Sequence, residues 1–218
     1  MEYAILFLPL IGSLIGYLGR STTKYFAEIS TSLFVSISAV LSILVFWNGI
    51  QNDSYGNYKI FEWISSGGFT ANWSIKIDPL SSIMLVVVTF VSALVHIYSI
   101  GYMSHDPHKP RFMSYLSLFT FSMLALVVSD NFLQLFFGWE GVGLCSYLLI
   151  GFWYKKETAN NAAIKAFIVN RIGDFGLAIA IFLIFFFFGT INFEETFQAT
   201  SQFTEKKIIF LGFEANLI

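Results

Sequence analysis

An all-α integral membrane protein is what this sequence predicts: about six complete transmembrane helices, the start of a seventh, and a β-hairpin in the outer loop between helices 2 and 3. Three observations carry that reading. Of the 218 residues, 56% are apolar and only 12% charged, against roughly 45–50% and about 25% in an ordinary soluble domain. Mean hydropathy is +0.70, with 26 phenylalanines. The apolar residues also fall in long runs and not in amphipathic stripes, the pattern of helices that must satisfy their own backbone in lipid. A single membrane domain over residues 1–218 follows.

The first run, Tyr3 to Gly19, has no basic segment before it and no small-residue cleavage site after it, so it reads as an anchor and not as a signal peptide. Further spans run from Ile29 to Ile50, Pro79 to Gly101, Phe112 to Ser129, Phe132 to Trp153 and Ala162 to Gly189. Each is close to or above the roughly 20 residues that cross a hydrocarbon core. From about Ile208 the chain reads as an incomplete seventh span.

Between the second and third spans lies the one long loop, Gln51 to Asp78. Trp73, Ile75 and Ile77 alternate, and Phe61 and Trp63 precede Ser65-Ser66-Gly67-Gly68. That pattern predicts a β-hairpin, with an irregular aromatic-rich interfacial loop as the other reading. Asp78-Pro79 opens the third span, where the missing proline N–H costs nothing.

Basic residues set the expected orientation. Arg20, Lys24, Lys109, Arg111, Lys155, Lys156 and Lys165 fall on one side, and Lys59, Lys76, Lys206 and Lys207 on the other. The bias places the N-terminus on the outer side. The formal charge of −2 leaves no footprint for nucleic acid. One cysteine, Cys145, excludes a disulfide framework, and no Cys/His cluster has metal-ligand spacing, so neither a metal nor a redox centre is expected in this chain.

Three charges lie well inside the spans, Glu140, Arg171 and Asp174, with Lys165 at the edge of the sixth. A charge at the bilayer centre costs at least about 2.5–3.5 kcal/mol, which makes each a functional candidate. Eight residues into the fifth span, Glu140 sits about 12 Å deep, out of snorkelling reach. Gly138, Gly141 and Gly143 strip the bulk around it, so a helix or a file of water could approach. Its carboxyl suits a proton relay, or a neutral hydrogen bond to a neighbouring helix. Asn170, Arg171 and Asp174 fall at i, i+1 and i+4, so Arg171 reaches Asp174 at i+3, either as a helix-fixing pair or as a transfer element. Lys165 marks the inner end of that span. His96, near the inner end of the third span, is a weaker candidate for carrying protons, and a hydrogen-bonded packing role suits it better. His105 and His108 lack a third ligand, and the remaining charges fall at ends or in loops within reach of water.

The string from Gly138-Trp139-Glu140-Gly141-Val142-Gly143 through Gly151-Phe152-Trp153, followed by Lys165-Ala166-Phe167 and Asn170-Arg171-Ile172-Gly173-Asp174, resembles the antiporter-like membrane subunits of respiratory complex I. The resemblance covers essentially all the chain, including Asp78-Pro79-Leu80-Ser81 and His96-Ile97-Tyr98-Ser99-Ile100-Gly101-Tyr102-Met103. It implies a longer subunit of inverted five-helix repeats, proton translocation, and membrane-subunit partners in a bacterial or mitochondrial inner membrane. Flavin, iron–sulfur clusters and quinone would belong to partner subunits, with no cofactor here. Glu140 matches the family's fifth-helix glutamate, which pairs with a lysine on a seventh helix that this sequence lacks; Arg171, Asp174 and Lys165 match its sixth-helix charges. Two other readings stay open: a subunit of a multi-subunit cation/proton antiporter, and a truncated non-catalytic scaffold.

Overall fold

The computed structural model describes residues 1–19, 25–200, 207–210 and 213–216. In chain order the elements are α1 (Glu2–Leu18), α2 (Phe26–Asn52), β1 (Gly56–Ser66), β2 (Phe69–Ile77), α3 (Pro79–Tyr102), α4 (Lys109–Val127), α5 (Phe132–Ile150), α6 (Glu157–Phe188), α7 (Phe193–Thr200), β3 (Lys207–Phe210) and β4 (Phe213–Asn216). Among the described residues, α2 to α6 are long and apolar enough to cross a membrane, and α1 is a shorter apolar helix of 17 residues. The expectation of a seventh helix opening near Ile208 is not met: β3 and β4 pair antiparallel there. Ile208, Ile209 and Phe210 are strand formers. The short α7 was not anticipated either.

Four helices form the centre, with α4 touching α1, α2, α3 and α5, and α6 lying outside against α5. Buried hydroxyls tie them together, as expected where lipid gives no hydrophobic drive between helices. Pro9 lies inside α1 and cannot donate to the carbonyl of Ile5; Ser38 of α2 donates to that carbonyl instead, at 2.7 Å. Ser117 of α4 donates to the carbonyl of Pro9 (2.7 Å), and Ser13 of α1 to that of Ser114 (2.8 Å).

The predicted hairpin is present. Ser66 pairs with Phe69 across Gly67, whose φ of +57° is the positive value that a two-residue turn requires. Ala71, Trp73, Ile75 and Ile77 are buried at alternate positions of β2, and the last three join Ile5, Leu6, Val45, Leu85, Phe121 and Leu124 in one apolar cluster. The hairpin therefore plugs one end of the bundle. Gln134 of α5 clamps the Ser74 backbone in both directions, accepting from its N–H (2.9 Å) and donating to its carbonyl (2.7 Å). Asn131 donates to the Asn72 carbonyl at 2.8 Å. Asp130, at the turn between α4 and α5, accepts from Asn57 at 3.1 Å.

Two helix starts are closed by side chains, the first at the Asp78-Pro79 signal. Asp78 and Ser81 form a reciprocal capping box with Pro79 in the first turn of α3, and Asn131 accepts from the Gln134 N–H at 2.8 Å to open α5. At the opposite end from the hairpin, Asp106 staples two loops, accepting from Trp153 Nε1 (2.8 Å) and the His108 N–H (2.7 Å). These donors hold its carboxyl below the usual range, against the opposing effect of burial.

Candidate proton-transfer site

The site lies where α5 and α6 meet. Arg171 projects from α6 to Glu140 of α5 and binds Oε2 as an ion pair. It also faces Asp174 one turn on, with Nη1 and Oδ2 at 3.8 Å. One guanidinium thus lies between two carboxylates on different helices. Asp174 is buried, and Trp139 of α5 donates its indole N–H to Oδ1 at 2.9 Å. Residues 139 and 140 of one helix therefore meet residues 174 and 171 of the other in two antiparallel contacts. Phe167, a turn before Arg171, lies under the guanidinium at 4.8 Å from the ring centre.

The two carboxylates are not equivalent. Asp174 is fixed by the indole and by its own helix, whereas the second oxygen of Glu140, Oε1, is buried without a hydrogen-bond partner. An unpaired carboxylate oxygen in low dielectric is a place to take up a proton. The Arg171 side chain is half exposed, and Glu140 is exposed by only about a fifth. Beside them, Leu135, Trp139, Asn170, Gly173, Asp174 and Leu177 line a groove of about 400 Å³.

Of the residues singled out from sequence, Glu140, Arg171 and Asp174 come together. The i, i+3 pair within α6 exists, but the closer partner of Arg171 is Glu140. Lys165 is exposed on α6, nearer the end opposite the hairpin, and joins no ion pair or hydrogen bond among the described residues. His96 is fully buried in α3, away from this site. Gly138 and Gly141 admit a helix: a Cβ on Gly138 would lie 2.6 Å from the Leu126 backbone nitrogen, and one on Gly141 2.8 Å from Ser122 Oγ, both on α4.

Two features escaped the sequence. Trp139 is not ionisable and carries no charge signal in the sequence, although a tryptophan N–H inside a span must find an acceptor. Glu28 and Lys109 lie beyond the apolar runs and read as solvated ends, whereas α2 and α4 begin about three residues earlier than hydropathy suggests. Both side chains are buried, with Lys109 Nζ and Glu28 Oε2 in contact at 2.6 Å, off the angle of an aligned hydrogen bond.

Comparison with known proteins follows the same lines. A family described as NADH-ubiquinone oxidoreductase (complex I), chain 5 N-terminus, matches residues 63–113, and one described as NADH:quinone oxidoreductase/Mrp antiporter, TM, matches residues 129–217. NADH-quinone oxidoreductase subunit L of Rickettsia bellii is 49% identical over 98% of this chain and 34% of its own length. NADH-ubiquinone oxidoreductase chain 5 of Chondrus crispus is 50% identical over 100% and 33%, and that of Triticum aestivum 51% over 100% and 32%. The chain thus spans about a third of the length of these relatives. Among solved structures, the Mrp complex of Dietzia sp. DQ12-45-1b superposes with a TM-score of 0.74 at 24% identity, covering 89% of this chain and 20% of that one. An archaeal membrane-bound sulfane sulfur reductase does so with a TM-score of 0.74 at 19% identity, over 91% and 30%. These two likenesses concern the fold.

Proposed function

The chain belongs to the antiporter-like membrane subunits of NADH:quinone oxidoreductase, and on that footing we propose that it forms part of a proton-translocating subunit in which Glu140 takes up and releases the proton. The observation that carries the proposal is Arg171 lying between Glu140 and Asp174 while Glu140 Oε1 has no partner.

The arrangement suits a charge switch. When Glu140 is ionised, Arg171 is held on α5. A proton arriving at Oε1 neutralises that carboxyl, and the guanidinium shifts its bond to Asp174, which Trp139 keeps in place. Any added positive charge near the site reverses the preference. The magnitudes fit: moving one charge through about 100 mV takes about 2.3 kcal/mol, equivalent to about two pKa units at 1.36 kcal/mol each. Lys165, exposed toward the basic end of α6, would bias the local potential on the uptake side.

In this reading all of α1 to α6 cross the bilayer of a bacterial or mitochondrial inner membrane, with the N-terminus and the hairpin on the outer side. Quinone reduction, with its flavin and iron–sulfur chemistry, takes place in partner subunits, and other membrane subunits flank this one. About half identity to relatives named as oxidoreductase subunits favours this over a stand-alone antiporter. Glu140→Gln in the complete subunit should assemble normally and lose most proton pumping in inverted vesicles. Undiminished pumping in that variant would sink the role.

A further inference from the structure

We propose a second proton-holding group in this chain, formed by His96 on α3 with Ser32 and the buried Glu28–Lys109 pair, at the end of the bundle opposite the hairpin. It rests on the proton-translocating reading above but uses none of the residues of that site.

The first support is the chemistry of the imidazole. His96 Nδ1 lies 2.7 Å from the carbonyl oxygen of Ser92, one turn back on its own helix. A carbonyl only accepts, so Nδ1 carries the hydrogen, and the neutral ring presents a lone pair at Nε2. That Nε2 is buried and has no hydrogen-bond partner, in a residue with no exposed surface. A nitrogen with its tautomer fixed and its lone pair unused can accept a proton, and burial makes its hold on that proton brief.

The second support is what lies level with it. Val35 and Ala39 of α2 pack against Ala93 of α3. One turn from Val35 toward the start of α2 is Ser32, and one turn from Ala93 toward the end of α3 is His96. The helices run antiparallel, so both residues lie at the same height. Ser32 is itself buried, and its Oγ also lacks a partner. One further turn along α2 lies Glu28, in contact with Lys109 of α4.

The third support lies on the other side of the ring. Ser92 is hydrogen-bonded to Thr120 of α4, and a turn deeper Thr89 meets Ser42 of α2 at 2.7 Å. Polar side chains thus continue from Glu28 toward the bundle centre. Among the described residues, the charged groups on elements packed against α3 at this end are Glu28 on α2 with Lys109 and Arg111 on α4. Arg111 is turned away, donating to the Phe152 carbonyl at 3.0 Å.

The step moves one proton. An N–H bond of Lys109 breaks as Glu28 takes the proton; because Ser32 Oγ and His96 Nε2 rest without partners, a turn of the Ser32 side chain or an intervening water closes the gap before an N–H bond forms at His96 Nε2. One positive charge passes from the end of the bundle toward its interior, and no other reactant is consumed.

The test uses the complete subunit in its assembled membrane complex, with His96→Gln, Ser32→Ala, Ser32→Thr and Glu140→Gln compared. The His96→Gln complex should oxidise NADH normally in uncoupled vesicles and pump roughly tenfold more slowly, the scale of losing one positioned acid–base group. Ser32→Ala should pump more slowly with a displaced pH profile, and Ser32→Thr should restore both. Loss in Glu140→Gln with wild-type pumping and pH profile in His96→Gln overturns this group and leaves the first site standing. Normal pumping in both overturns the translocation reading as well. If His96→Gln does not assemble, Ser32→Ala decides, and an unchanged rate and pH profile there reduces these hydroxyls to packing contacts.

Discussion

Arg171 faces two carboxylates, and what it does depends on how firmly each is held. Glu140 keeps one oxygen unpaired, whereas Asp174 has the Trp139 indole N–H at 2.9 Å. Trp139 is therefore a positioning residue. Trp139→Phe keeps the ring and removes the donor. A hydrogen bond to a charged acceptor contributes about 1.5–3 kcal/mol, and the half-exposed indole lowers the expectation to about 1 kcal/mol. Solubilised in detergent, the variant should unfold about 2–4 °C lower, and its pumping should fall because Asp174 no longer waits in place for the guanidinium. An unchanged melting temperature and pumping rate would remove Trp139 from the site. The three charges were legible because lipid makes each costly wherever it lies. Which carboxylate Arg171 meets was not: the i, i+3 spacing to Asp174 is written along α6, while the contact with Glu140 depends on how α5 crosses it.

At the scale of elements, α5 owes its position to a missing side chain. A Cβ on Gly138 would fall 2.6 Å from the Leu126 nitrogen and 2.7 Å from its Cα, both backbone atoms that cannot swing aside. Gly138→Ala gains about 1 kcal/mol of helix propensity, but overpacking against backbone costs typically 1–3 kcal/mol, so net destabilisation is expected. Gly143→Ala, with nothing within 4 Å, is the matched control and should be neutral or stabilising. The pair is read by thermal unfolding in one detergent. Equal melting temperatures would show that α4 and α5 separate easily. The helices and the hairpin were readable because hydropathy, alternation and the Asp78-Pro79 and Gly67-Gly68 signals are local. Helix starts were not: Glu28 and Lys109 looked solvated because each lies beyond an apolar run, yet each is inside a helix and buried against the other. Residues 207–216 misled for a related reason, since a short apolar stretch suits a strand as well as the opening of a span.

For the whole molecule, the hairpin and the turns at Asp130 and Ile191 gather at one end, where Lys76 N–H bonds the Val128 carbonyl at 2.8 Å and Phe132 N–H that of Ile191 at 3.0 Å. Lys109, at the start of α4, and the loop bearing Lys155 and Lys156 lie at the other. Arg20, Lys24 and Lys206, which enter the charge count, lie outside the described residues. The proposed orientation has a direct test that exploits the burial of the only cysteine, Cys145. Ser65→Cys, in the hairpin, should react with a membrane-impermeant maleimide from the outer face of sealed vesicles, and Lys155→Cys only after permeabilisation. The opposite labelling would invert the topology.

What the sequence by itself determined is whatever depends on neighbours along the chain: the membrane class, the helices and the hairpin, and the three charges that lipid would not tolerate without a reason. The family resemblance came from the same local strings. Only the tertiary structure decided which helix each buried polar group answers to: Arg171 to Glu140, Trp139 to Asp174, Glu28 to Lys109, and Ser38 to the carbonyl that Pro9 leaves open. The physical reason is that burial cost is a property of a residue and its surrounding run, whereas pairing depends on the crossing and register of helices far apart in sequence, set by small residues such as Gly138 that let backbones meet.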